Sequence, residues 1–131
     1  MLTKEEIEKL EEVLTKEDFN KDILPEKLKE TIEENIDLIF TNDIVLARVF
    51  LMFYSIFENN LEKFNLKELN KEIAGFWGID YLRDLFFEYD GETAFGRSYY
   101  KHKIKNYVNR YRKNCISLIN LGKEIFFEEL I

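Results

Sequence analysis

Few side chains in this sequence are equipped for chemistry, because it holds one histidine and one cysteine. His102 follows Arg97 in the run Arg97-Ser98-Tyr99-Tyr100-Lys101-His102, which sets a titratable imidazole near a permanently charged guanidinium. As a plain surface residue, His102 would fall on the polar side of a helix. Cys115 falls on an apolar stripe with no second histidine to activate it, and reads as a buried structural thiol. A single cysteine excludes an intramolecular disulfide, and one histidine with one cysteine excludes a Cys/His zinc site. Glu33-Glu34 with Asp37, and Glu88 with Asp90 and Glu92, lack the pattern of a Ca²⁺ loop and read as solvated helix ends. Gly91 and Gly96 do not form a phosphate-binding glycine loop. The expectation is no metal and no cofactor.

The Arg97-x4-His102 spacing resembles that of the HEPN ribonucleases, all-α proteins of similar size that often dimerise. The resemblance covers six residues, and Ser98 stands after the arginine where the stronger form of the motif carries Asn or Asp. It implies metal-independent RNA cleavage, with Arg97 and His102 in phosphate-stabilising and acid–base roles. It also implies that the two meet across a cleft at a dimer interface.

The bases around this motif are segregated. Residues 93–123 contain no acid but eight bases, while the remainder of the chain sets eleven bases against twenty-six acids. The window is therefore +8 and the rest −15, giving the net −7. Arg97, Lys101, Lys103, Lys105, Arg110, Arg112 and Lys113 are candidates to hold a partner or an anion. Gly96-Arg97-Ser98 would offer backbone N–H groups at a helix start. Three readings stay open: pairing with acidic helices of the same chain, docking on an acidic protein, or contact with nucleic-acid phosphate. The acidic remainder would repel a duplex, so one face alone could bind it.

These residues need elements to hold them. At 131 residues with 46% hydrophobic and 34% charged content, the chain suits one soluble domain spanning 1–131. One proline and five glycines favour long helices, and twelve Phe with seven Tyr make a ring-rich core. In 44–57, IVLARVFLMFYSIF, only Arg48 and Ser55 are not apolar. This stretch is shorter than the roughly 20 apolar residues of a membrane span. It reads as the middle of a central helix over about 43–63, apolar all round except for a stripe of Arg48, Ser55, Asn59 and Glu62 that should mark where the helix reaches the surface, with Arg48 needing water or a carboxylate. Around it the periodicity predicts an all-α bundle of five to seven helices. Helices are expected over 3–16 (a capping box at Thr3 and Glu6), 24–40, 66–76, 81–89 and 98–120, the last stopped by Gly122. A short segment, 123–131, would dock back. Tyr100, Ile104, Tyr107, Val108, Tyr111, Cys115 and Leu118 share one arc of 98–120, leaving Tyr99 outside it. Trp77, between two glycines, is a core plug or an interface anchor.

The charged start from Lys4 predicts no signal peptide, and the expected location is the cytoplasm. Small, acidic, motif-free composition is similar to that of bacterial immunity proteins and phage anti-defence proteins such as anti-CRISPRs. The function expected on this basis is non-enzymatic: a protein-binding inhibitor that occludes a partner, itself a nucleic-acid-handling enzyme. The alternative is an RNA-directed protein, including a ribonuclease using Arg97 and His102.

Overall fold

Residues 44–50 are buried without a break, which happens only when a helix has neighbours on several sides. The computed structural model describes residues 26–59, 78–91 and 93–128, which form five helices and no strand. These are α1 (Glu26–Glu34), α2 (Ile36–Thr41), α3 (Asp43–Asn59), α4 (Ile79–Gly91) and α5 (Ala94–Glu128). The all-α bundle with an apolar central helix is present, and α3 is that helix. The expected helices over 3–16 and 66–76, together with Trp77, lie outside the described residues.

Polar residues start α3 as the sequence suggests. The Asn42 side-chain oxygen accepts the Val45 N–H at 3.1 Å, its carbonyl accepts the Leu46 N–H at 2.8 Å, and Asp43 faces the positive end of the dipole. Leu46, Phe50, Met52, Phe53 and Phe57 are each at most 2% exposed. A fully buried side chain of this size contributes about 2 kcal/mol, so α3 supplies a large share of the core. The most extensive packing on α3 comes from α5, which in turn packs on α4. The buried face of α5 contains Ile104, Tyr107, Val108, Tyr111, Cys115 and Leu118, the stripe legible in its periodicity.

Three expectations are corrected. The helix over 24–40 is interrupted at Asn35, whose side-chain amide donates to the Thr31 carbonyl at 2.7 Å. The same residue's N–H turns back to Ile32 O at 3.3 Å, tightening the chain out of α geometry. The helix expected over 98–120 instead spans Ala94–Glu128, past Gly96 and Gly122, as two helical stretches joined by a kink. Gly122 is no terminator: a Cβ there would stand 2.4 Å from a Phe53 ring carbon, so it marks where α5 comes closest to α3. The one departure from helical geometry within α5 is at Tyr111, with φ −118° and ψ 18°.

The third correction concerns Arg48 and Ser55 of the polar stripe, which face α4 rather than marking the surface, while the Asn59 side chain and Glu62 lie outside the described residues. Arg48 is 7% exposed, ion-paired with Asp90, and packed with its guanidinium 4.5 Å from the Phe86 ring centre. One turn of α4 away, Arg83 donates to Ser55 Oγ at 3.3 Å and to Glu58 at 3.0 Å. Arg48 and Ser55 thus form a polar seam between α3 and α4, beside the packing of α4 on α5.

Candidate functional site

The acid-free helix is α5, and its bases divide into groups that point in different directions. Arg112 is engaged inside the fold: it donates to the Phe40 carbonyl at 3.0 Å, to Asn109 Oδ1 at 3.3 Å, and to Asp43. It therefore clamps the end of α2 and the start of α3, where a cation also meets the negative end of the α2 dipole. Lys101, Lys105 and Lys113 are exposed and form no ion pair among the described residues. Lys103 and Arg110 lie on the side towards α4. Among the described residues, intramolecular ion pairing thus accounts for Arg112 and not for the other bases of α5.

Arg97 and His102 are both exposed and both on α5. Five helical residues separate them by about 7.5 Å along the axis and about 140° around it. Arg97 approaches the Tyr89 ring of α4, 5.9 Å from its centre, while His102 lies on the outer side. One chain does not bring the two side chains together on one face. The Arg97 N–H, expected to be open at a helix start, is bonded to Thr93 O at 2.9 Å.

What α5 does build with α4 is a cleft of about 500 Å³. From α5 it is lined by Lys103, Asn106 and Arg110, with Tyr107 and Tyr111 beneath them; Gly78 and Tyr81, at the start of α4, form the other wall. None of the lining residues is acidic. Lys103 sits 4.6 Å from the centre of the Tyr99 ring, and a side-chain hydrogen bond with Tyr99 raises its pKa. Arg110 lies 5.5 Å from the Tyr111 ring. Both cations are therefore steadied by tyrosines one turn or less away. Gly78 adopts φ +73°, and a Cβ on it would come within 3.2 Å of Tyr81 Cβ, so the turn that brings Tyr81 to the cleft requires glycine.

A second surface lies on α4 and was not singled out by the sequence reading. Asp80, Asp84, Phe87 and Glu88 fall within an arc of roughly 100° on the helix, opposite the buried Leu82, Leu85 and Phe86. All four are exposed, and Phe87 is 78% exposed, more than any other large apolar side chain among the described residues. The four-residue spacing of 80, 84 and 88 was the available signal. The group of Glu88, Asp90 and Glu92 masks that spacing in the sequence, and of these Asp90 pairs with Arg48.

Cys115 is fully buried, as its place on the apolar stripe predicts, and burial pushes its thiol up to about 12, partly offset by Arg112. Burial likewise raises the Tyr107 phenol, whose hydroxyl has no hydrogen-bond partner among the described residues. The native thiol is expected to resist maleimide at pH 8 and to react once unfolded; prompt native labelling would contradict this. The folded state holds this proton above the ordinary value of 9, while the unfolded thiol loses it. The contribution is thus fully present below pH 9 and declines as pH rises towards 12, measurable as a falling denaturation midpoint.

Among the described residues no group of three His, Cys, Asp or Glu could hold a metal ion, and no helix is long and apolar enough to cross a membrane. Compared with known proteins, the chain matches no family model, no curated protein and no solved structure.

Proposed function

We propose that the chain is a non-enzymatic protein-binding module that docks the acidic face of α4 into a basic groove on its partner and blocks that groove. The partner chemistry follows from charge complementarity: a groove built for nucleic-acid phosphate receives a regular row of negative charge. Asp80, Asp84 and Glu88 recur at intervals of about 6 Å along the helix axis. The observation that carries the reading is Phe87, 78% exposed within that acidic row. Carboxylates alone would keep a surface soluble; a large ring among them supplies the apolar anchor that docking sites use. Packing on α5 and the Arg48 and Arg83 contacts to α3 fix α4 within the fold, which reduces the ordering needed on binding.

The test compares immobilised wild type with Phe87→Ser, Asp84→Lys and the distant Lys113→Gln, using extracts of cells that produce the protein. The expected result is one nucleic-acid-handling protein retained by wild type and by Lys113→Gln but lost from the two α4 variants. Equal retention by all four would overturn the α4 face, and no enrichment over blank resin would overturn the module. A second reading, contact with nucleic acid through α5, is favoured by the exposed Lys101, Lys105 and Lys113, which form no ion pair among the described residues. It predicts binding that Lys113→Gln weakens and Phe87→Ser does not.

A further inference from the structure

The geometry points to a nucleotide site in the cleft between the start of α4 and the middle of α5, independent of the docking face. Lys103 and Arg110 stand two helical turns apart on one wall, about 10 Å along the axis, with Asn106 between them. Two cations at that separation, with no carboxylate among the described lining residues, attract phosphate at either end. Asp80, the acid nearest in sequence to Tyr81, is 96% exposed and inclines to Arg83 at 3.6 Å. The Asn106 amide is both donor and acceptor, the pairing capacity that a base edge requires. Across the cleft Tyr81 is 50% exposed, giving a ring face on which a planar base can stack.

The remaining features agree with that ligand class. A volume of about 500 Å³ suits a molecule of mononucleotide size rather than a bare inorganic ion. Tyr107 and Tyr111 close the floor with rings fixed in the core, 4.8 Å apart between centres. The shared chemistry is a phosphate-bearing nucleoside, supplied either free or as part of an RNA strand.

Titration calorimetry at low salt with ATP, with a ten-nucleotide single-stranded RNA and with inorganic phosphate tests the assignment. Wild type is compared with Tyr81→Ala, Arg110→Gln and the off-site Lys113→Gln, each first shown to be folded by its thermal transition. The site requires that ATP or the RNA binds, that Tyr81→Ala and Arg110→Gln each weaken it at least tenfold, and that Lys113→Gln leaves it within twofold. Cleft-dependent binding of ATP identifies a free nucleotide as sufficient; cleft-dependent binding of the RNA alone identifies a strand. Binding of neither, binding indifferent to Tyr81→Ala and Arg110→Gln, or inorganic phosphate binding as tightly as ATP would each overturn the proposal.

Discussion

Asp90→Ala is expected to destabilise the fold by about 3 kcal/mol, and Arg48→Met by clearly less. The asymmetry follows from burial. Arg48 is 7% exposed and its Nε already lacks a partner among the described residues, whereas Asp90 is 35% exposed. Removing the carboxylate strands a cation among Phe86, Tyr89 and the apolar side chains of α3. Removing the cation leaves a carboxylate that water can reach, and methionine fills the space against the same rings. Denaturant titration of the two variants reads the difference directly. Arg48→Met costing as much as Asp90→Ala would mean that the pair is not the anchor of the seam between α3 and α4.

Gly122→Ala provides the second large effect, and here the sign is the informative part. On an open helix face, glycine to alanine stabilises by about 1 kcal/mol. At position 122 the added carbon would meet three atoms of the Phe53 ring at 2.4, 2.8 and 2.9 Å, and Phe53 is fully buried with nowhere to retreat. Overpacking of this kind outweighs the propensity gain, for a net loss of about 2 kcal/mol. Shortening the ring should recover much of it, so Phe53→Leu combined with Gly122→Ala is expected to be more stable than the sum of the single losses. Strict additivity, or a stabilised Gly122→Ala, would place α5 farther from α3 than the structure does.

Much of the fold was legible because burial follows periodicity. The apolar run 44–57 could only be the middle of the bundle, and the arc from Tyr100 to Leu118 could only face it. Gly122 misled because its local meaning, a helix stop, is the commoner one; its actual role depends on Phe53, sixty-nine residues away. Asn35 misled in the opposite sense, since an amide that folds back on its own turn leaves the apolar pattern undisturbed. Arg48 needs water or a carboxylate on its sequence context alone, and it takes the carboxylate; the sequence does not say that Asp90 and Arg83 are the groups that come to meet Arg48 and Ser55.

The candidate site was less visible. The basic helix was legible as composition, but not its division into Arg112 within the fold, Lys103 and Arg110 on the cleft, and Lys101, Lys105 and Lys113 outside. That division is set by which side of α5 meets α4, a tertiary fact. Tyr81 belongs to the cleft only because Gly78 turns the chain with a positive φ. Phe87 could have been found by projecting 79–91 on a wheel, where an exposed ring among acids departs from the amphipathic pattern.

Docking is tested most directly by competition once the retained partner is in hand. The partner's labelled nucleic acid is titrated with the chain and the displaced fraction measured. One chain per partner should displace all of it, more weakly as salt rises, with Phe87→Ser and Asp84→Lys failing at the same concentrations. A stable complex holding chain, partner and nucleic acid together would contradict occlusion by the α4 face.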